Sequence, residues 1–379
     1  MTEKGVARSA DAIRTESAIK VARVICILGI VYVHSWTGLT IEQSKALMHG
    51  TQSVYRAVLV ELLGRSSVPL LSVISGYLVV GSAMKRSYGS FIGGKARAIL
   101  APMVAWNAIA ILMIPTIGTL AGMQVPVPRD AQWFADELVA LTRANDINVQ
   151  MPFLRDLFLC MLAAPLLVRA RGWMLGIAAA LVLAWILTEW HTVLFLRPPI
   201  LLFFLIGIGV RRAGIGPKLA QISPLLILPA FLLLGGVKLW TVLEGPIVLG
   251  KLTLSMQAVD LVLRFAGALA FWQVAWRLAE SRFSPIFWRL EPYMFLLFCS
   301  HLVMLWLGGP LLGQVTGTLG APIYPAYLTL QPALVLIATL LLALLLRRLP
   351  GPIGDILSGG RLPRGEDAAR RPTLAVSRG

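Results

Sequence analysis

The chain has 379 residues, of which 57% are hydrophobic and only 14% are charged. Soluble domains carry about 45–50% apolar and about 25% charged residues, so this composition excludes an ordinary soluble enzyme. The formal net charge of +16 would by itself suggest a nucleic-acid-binding protein. The Lys and Arg residues are dispersed between many apolar runs, which argues against nucleic acid and favours a membrane protein with basic cytoplasmic loops.

Ten apolar runs are candidates for membrane-crossing helices, which need about 20 residues each, with a range of about 17–25. They cover residues 18–38, 54–84, 98–120, 152–168, 173–190, 198–213, 221–240, 257–277, 291–312 and 327–348. The second run is too long for one crossing and contains Pro69 and Gly76, which predicts a kink or a break there. The pattern predicts an all-α, polytopic membrane protein of about ten transmembrane helices.

The distribution of Lys and Arg predicts the orientation. When the N-terminus is placed in the cytoplasm and the runs alternate, most basic residues fall on the cytoplasmic side. Both termini are then cytoplasmic in a multi-pass protein of the cell inner (cytoplasmic) membrane. The chain divides into a cytoplasmic segment 1–17, a membrane domain 18–348 and a basic, disordered cytoplasmic tail 349–379. The external loop 121–151 is expected to form a short amphipathic element.

The first run carries two ionisable residues, and such residues inside a membrane mark functional sites by default. Arg23 and His34 are eleven residues apart, which places them within about 20° of one helix face and about 16 Å apart along the axis. Histidine is a suitable general base near neutral pH, and arginine suits bidentate binding of phosphate. The simpler alternative is that Arg23 anchors a helix end and His34 is an interfacial polar residue.

The predicted topology brings further charged residues to the depth of His34, namely Arg65, Arg155, Asp156, Asp260 and Arg264. Together they predict a polar pocket that opens outward, with a basic entrance on the cytoplasmic side. Because Asp260 and Arg264 are spaced i, i+4, they could instead simply neutralise each other. His301 lies within the ninth run, where it either lines the cavity or makes an interhelical hydrogen bond.

Five segments follow one another in a distinctive order. They are VARVICILGIVYVHSW in the first run, RSSVPLLSVISGYLV at 65–79, YGSFIGGKARAILAP at 88–102, MPFLRDLFLCMLAAPLL at 151–167 and YMFLLFCSHLVML at 293–305. This order resembles the acyltransferase-3 family of integral membrane acyltransferases, of the polysaccharide O-acetyltransferase type, over roughly residues 18–348. The chain departs from the family at 151–152, where a Trp is usual, and at 97–98, where a doubled basic pair is usual.

The resemblance implies transfer of an acyl group, usually acetyl, from cytoplasmic acyl-CoA to a hydroxyl of an exported or cell-surface polysaccharide. It implies that His34 is the catalytic base, with Arg23, and that Arg23, Lys95 and Arg97 bind the phosphates of the coenzyme. The implied substrate pocket contains Arg65, Ser75, Arg155, Asp156, Asp260, Arg264 and His301. The pair formed by Ser75 and Gly76 has an alternative role, since Ser-Gly in a membrane helix more often permits close helix packing.

The implied partners are acetyl-CoA as co-substrate, a polysaccharide acceptor, membrane lipids and other proteins of polysaccharide synthesis. No metal site is predicted, because Cys26, Cys160 and Cys299 are far apart and make no metal-ligand spacing. The alternative function is a transporter or flippase of a glycan or lipid-linked intermediate, in which Arg and Asp within the membrane are also usual.

Overall fold

In a computed structural model of the chain, residues 3–188, 190, 192–243, 254–349 and 352–363 are described. Their regular structure is helical, and there is no strand within these ranges. The all-α class predicted from the apolar runs is therefore confirmed.

Each of the ten apolar runs overlaps a helix. The first helices are α1 (Glu3–Val33), α2 (Ile41–Ala46), α3 (Thr51–Val58), α4 (Val68–Ala83), α5 (Tyr88–Lys95), α6 (Ala101–Leu120), α7 (Ala131–Val139), α8 (Pro152–Arg169) and α9 (Gly172–Leu187). They are followed by α10 (Pro199–Ala213), α11 (Gly216–Ala220), α12 (Pro224–Leu243), α13 (Leu254–Leu278), α14 (Ser284–Leu290), α15 (Met294–Thr316), α16 (Tyr324–Arg348) and α17 (Ile353–Ser358). Proline stands in the first turn of α4, α6, α8, α10, α14 and α16, where its missing N–H costs nothing.

Six stretches of the described helices are long and apolar enough to cross a membrane. They are Thr51–Ala83, Tyr88–Leu120, Pro224–Leu243, Met256–Leu278, Ser284–Thr316 and Tyr324–Arg348. The helix surfaces also expose large apolar side chains, such as Leu225 and Leu233 of α12, which suit lipid rather than water. The chain is a multi-pass membrane protein, whereas the count of ten crossings and the cytoplasmic placement of the termini stay predictions.

The second apolar run is helical throughout but irregular in its middle. α3 passes into π-helical turns at Leu59–Gly64 and a 3-10 turn at Arg65–Ser67 before α4 begins. The predicted irregularity therefore precedes Pro69, which stands harmlessly in the first turn of α4. π-Helical turns are frequent at functional sites, and these turns lead directly into Arg65.

α1 lies at the centre of the bundle, where it packs against α4, α13, α15, α16 and the irregular turns 59–67. α4 and α10 meet backbone to backbone. A Cβ atom at Gly76 would overlap the carbonyl group of Phe204, and one at Gly207 would overlap that of Val73. Gly76 thus permits close packing of α4 and α10, which is the alternative role considered from the sequence for the pair formed by Ser75 and Gly76.

The two ends of the bundle differ. α1 and α9 end, and α8 and α10 begin, at what we call the cavity end. The short element expected within 121–151 is α7, which is capped by Asp130 and anchored by the buried Trp133. Behind it, Asn148 Nδ2 donates to the carbonyl oxygen of Trp106 at 3.2 Å and to Oδ1 of Asn107 at 3.0 Å. The loop that follows α7 is thereby fixed inside the bundle.

The opposite end, which we call the tail end, holds a difference from the sequence prediction. Residues 352–363 belong to the tail expected to be disordered, yet Ile353–Ser358 form α17. This helix packs against α6, α15 and α16, and the indole N–H of Trp106 donates to the carbonyl oxygen of Leu357 at 3.0 Å. Leu357 and Leu362 pack against the core, which offsets the cost of ordering the segment. The remainder of the tail, from residue 364, lies outside the described residues.

Candidate active site

A cavity of about 650 Å³ lies at the cavity end of the bundle. Its polar lining consists of His34, Arg65, Ser72, Gln150, Arg197 and Arg264. Its aromatic lining consists of Phe153, Trp185, Trp190, Phe203 and Phe298. A cavity of this size with a few convergent polar groups is typical of a small-molecule or substrate site.

His34 follows the last helical residue of α1 and meets a second histidine. Its ring centroid lies 5.4 Å from that of His301 on α15. Nδ1 of His301 lies 2.8 Å from the carbonyl oxygen of Phe298 and 3.2 Å from that of Leu297. Carbonyl oxygens only accept, so Nδ1 carries the hydrogen and Nε2 of His301 is left with a free lone pair. That Nε2 is buried and has no hydrogen-bond partner within the described part of the chain.

Three arginines bring positive charge to the cavity, and each is held by a neighbour. Arg65 Nη1 contacts Glu61 Oε1 at 2.8 Å, Arg264 Nε contacts Asp260 Oδ2 at 2.6 Å, and Arg197 Nη2 donates to the carbonyl oxygen of Val149 at 2.6 Å. Among the described residues, no carboxylate lines the cavity. The site therefore favours negative charge, such as an oxyanion that forms during a reaction.

The irregular turns 59–67 explain how Arg65 reaches His34. A Cβ atom at Gly29 of α1 would lie 2.5 Å from the carbonyl oxygen of Leu63, and one at Gly64 would lie 3.1 Å from that of Gly29. Both contacts need glycine, because any larger residue would push the turns away from α1. The two glycines thus bring the turns against the helix that ends at His34.

The predicted pocket residues separate into those that line the cavity and those that support it. His34, Arg65 and Arg264 line it. Arg155 and Asp156 do not: the buried Asp156 accepts from Arg155 Nη1 at 2.7 Å and from the backbone N–H of Arg197 at 2.7 Å. This carboxylate therefore positions Arg197, which does line the cavity.

Asp260 and Ser75 are likewise outside the described cavity lining. Asp260 lies between Lys238 Nζ at 2.7 Å and Arg264 Nε at 2.6 Å, so the i, i+4 neutralisation considered from the sequence is present. The hydroxyl of Ser75 donates to the carbonyl oxygen of Leu71, at 2.8 Å within its own helix. His301 does not line the cavity itself but has ring contacts with two residues that do, His34 and Phe298.

At the tail end, the structure places Arg23 in an ion pair that the sequence did not suggest. Arg23 Nη1 contacts Glu291 Oε1 at 2.7 Å, just before α15 begins. Lys95 lies within electrostatic range of Arg23 and of Arg361 from the tail, whose guanidinium stacks 3.5 Å from the ring centroid of Phe295. We call Arg23, Lys95 and Arg361 the basic cluster; Arg97 is exposed nearby in sequence and has no described contact with it.

The sequence did not identify several residues of these sites, among them Arg361 of the basic cluster and Trp190 of the cavity lining. Gln150 and Trp185 carry no sequence signal, and the sequence pattern alone gives no role to Arg197 or Glu291. The Pro198-Pro199 pair after Arg197 was the one available hint, since it fixes the chain where α10 begins. Within the described residues, no group of three or more His, Cys, Asp or Glu side chains could hold a metal ion.

Comparison with known proteins assigns the chain to a family. A family model described as an acyltransferase domain, that of the acyltransferase-3 family, matches residues 16–348. The succinoglycan biosynthesis protein ExoH of Rhizobium meliloti (strain 1021) is 26% identical over 360 residues, covering 90% of this chain and 92% of that protein. No solved structure matches the chain significantly. The chain belongs to the acyltransferase-3 family, and it is an acyltransferase.

Proposed function

We propose that the protein transfers an acyl group, most simply acetyl, from acyl-CoA on the cytoplasmic side of the inner membrane to a hydroxyl of an exported or cell-surface polysaccharide. The observation that carries the proposal is a histidine, His34, in a cavity lined by three arginines and by no described carboxylate. A base beside a positively charged surface is what acyl transfer to a hydroxyl requires.

In the proposed reaction, His34 takes the proton of the acceptor hydroxyl as its oxygen attacks the thioester carbonyl carbon. The carbonyl oxygen becomes negatively charged, and the guanidinium groups of Arg65 and Arg197 stabilise it. The carbon–sulfur bond then breaks, an ester forms, and the leaving thiolate takes the proton from the His34 imidazolium. Atoms and charge balance without any other reactant.

His301 supports the role of His34 as a base. Its hydrogen is committed to the Phe298 carbonyl oxygen, so Nε2 presents a lone pair on the buried side of the histidine pair. A neutral neighbour of this kind does not oppose the uptake of a proton by His34, whereas a second cation would. It can also accept a hydrogen bond from a protonated imidazole.

The basic cluster supports donor binding. Several phosphate charges on one coenzyme match Arg23, Lys95 and Arg361, and Arg97 is close in sequence. Glu291 holds the guanidinium group of Arg23 in place through their ion pair. The excess of Lys and Arg in segments on the N-terminal side of the membrane supports placing this end in the cytoplasm, where acyl-CoA is available.

A polysaccharide acceptor is supported by the relative from Rhizobium meliloti, whose name assigns it to succinoglycan biosynthesis. The cavity end faces away from the basic cluster, which fits an acceptor that is exported. Other proteins of polysaccharide synthesis then deliver or extend the same polymer.

The test compares the acetyl content of the cell's exported polysaccharide in strains that carry the wild type, His34→Ala or His49→Ala. We expect His34→Ala to lose the protein-dependent acetylation and His49→Ala to keep it, because His49 is outside the cavity lining. Both variants must reach wild-type levels in the membrane. Unchanged acetylation in a well-folded His34→Ala protein rules out His34 as the base.

A transporter or flippase is the competing function, since Lys238, Asp260 and Arg264 form a charged group within the helices. Acetyl-CoA binding to the purified protein separates the two functions, because a flippase has no reason to bind this donor. We expect binding that weakens in Arg23→Ala. Absence of binding, together with glycan translocation that survives His34→Ala, would favour the flippase.

A further inference from the structure

Gln150 is a buried polar side chain whose hydrogen-bonding capacity is unused. It is 2% exposed and lines the cavity. Neither Oε1 nor Nε2 has a hydrogen-bond partner in the described part of the chain. Buried amide groups are nearly always paired, so an unpaired amide that borders a cavity indicates a ligand that completes it.

The backbone around Gln150 is held by hydrogen bonds, and burial confines its side chain. The carbonyl oxygen of Gln150 accepts from the N–H of Phe153 at 3.1 Å, and that of Ile147 accepts from the indole N–H of Trp306 at 3.3 Å. Asn148 is fixed to α6 as described above. A fixed amide binds a ligand without losing much conformational freedom.

An aromatic wall borders the same cavity. Trp185 lines it from the end of α9, and Trp190 stands at its rim with 71% exposure. The indole N–H of Trp185 donates to the backbone carbonyl oxygen of Trp190, which ties the segment that carries Trp190 to α9. Aromatic rings bury apolar faces, and an amide both donates and accepts. A sugar ring matches both kinds of group: its apolar C–H face can pack on the aromatic rings, and its hydroxyls can accept from and donate to the amide.

We propose that Gln150 and the Trp185–Trp190 wall form the acceptor subsite, in which the Gln150 amide binds a hydroxyl of the sugar ring that receives the acyl group. The inference rests on the proposed function and extends it by naming the residues that recognise the acceptor. Gln150 holds the ring so that a neighbouring hydroxyl meets His34. It is a specificity-determining residue, and it takes no proton.

The experiment uses the purified full-length protein with acetyl-CoA and a deacetylated oligosaccharide prepared from the host's own exopolysaccharide. Gln150→Leu removes the amide at similar size, and Gln150→Asn restores it one methylene shorter. Gln331→Leu is the matched control, because Gln331 is a buried glutamine, 1% exposed, that is not part of the described cavity lining.

We expect Gln150→Leu to raise the KM for the oligosaccharide at least tenfold while the KM for acetyl-CoA stays unchanged. Gln150→Asn should recover part of the loss, and Gln331→Leu should leave both constants at the wild-type value. An unchanged oligosaccharide KM in Gln150→Leu overturns the subsite. Equal losses for donor and acceptor also overturn it, since they indicate a structural role.

Direct binding of the same oligosaccharide separates this inference from the proposed function. If the wild type transfers no acetyl group but binds the oligosaccharide, and Gln150→Leu weakens that binding tenfold, the subsite stands and the proposed reaction fails. If Gln150→Leu binds the oligosaccharide as the wild type does, the subsite is refuted whatever the reaction.

Discussion

The glycine contact between α4 and α10 gives the sharpest test of the fold. A Cβ atom at Gly76 would lie 2.8 Å from the carbonyl carbon of Phe204 and still closer to its oxygen. A Cβ atom at Gly207 would lie 2.9 Å from the carbonyl carbon of Val73. Real Cβ atoms essentially never approach closer than 3.0 Å, so Gly76→Ala or Gly207→Ala must drive the helices apart by on the order of 1 Å.

The loss of stability comes from the packing between α4 and α10 that such a separation disrupts. The obstacle is backbone on the facing helix, which cannot rotate away as a side chain can. Overpacking of this kind costs about 1–3 kcal/mol, occasionally more. The helices also carry Ser72 and Phe203 of the cavity lining, so their separation reshapes the site as well. We therefore expect a lower thermal stability and reduced acyl transfer in both variants.

The same helices provide matched controls. A Cβ atom at Gly81 of α4 or at Gly209 of α10 meets nothing within 4 Å. Replacing either glycine by alanine removes backbone freedom without a clash, which in helices stabilises by about 0.5–1 kcal/mol. The assay is thermal unfolding of the four variants in one detergent. If Gly76→Ala and Gly207→Ala unfold at the temperature of Gly81→Ala and Gly209→Ala, the backbone contact is wrong.

Three further outcomes are expected. Asp156→Asn leaves the half-buried Arg155 without its carboxylate but with its backbone carbonyl partners, which costs about 1–3 kcal/mol, and membrane-extracted protein should unfold below the wild-type temperature. Burial raises the pKa of Asp136, but hydrogen bonds from its loop outweigh burial and hold it below the usual 3.8. Its stabilisation is present above 3.8 and lost as pH falls through the folded-state pKa, so acid should increase proteolysis of the 121–151 loop less in Asp136→Asn than in wild type. Truncation after Leu349 removes α17 and should lower the free energy of unfolding by about 1 kcal/mol or more, measured by thermal unfolding against the full-length chain.

The sequence was informative where a regular helix connects the residues concerned. The spacing of Arg23 and His34 needs only the helical period, and the structure has Arg23 on α1 and His34 directly after the last residue of that helix. Each of the ten apolar runs overlaps a helix, because each run is one continuous segment of the chain. The expectation of an irregular second run is confirmed, but the irregular turns lie at 59–67 and not at Pro69 or Gly76, because Pro69 fits the first turn of α4.

Contacts between segments that are far apart in the chain could not be predicted from the sequence. Glu291 meets Arg23 across 268 positions of chain, and Arg197 receives its place from Asp156 across 41. Local pattern holds no information on either pairing. The prediction of a disordered tail was wrong at 352–363. It rested on the Gly, Pro and Arg content of the tail, whereas α17 is held by a hydrogen bond from an indole on α6.

The position of α1 limits how donor and acceptor can meet. Arg23 belongs to the basic cluster and His34 to the cavity, and one rigid, buried helix sets their axial separation at about 16 Å. A coenzyme bound by its phosphates at Arg23 must therefore reach along α1 to present its thioester to His34. Ile30 of α1, one helical turn before His34, also lines the cavity. On the side of α1 that faces the irregular turns 59–67, the contact between Gly29 and Leu63 blocks the path. In the proposed reaction the donor's arm would follow the remaining faces of α1, so we expect bulky substitutions on those faces to impair donor use before they impair acceptor binding.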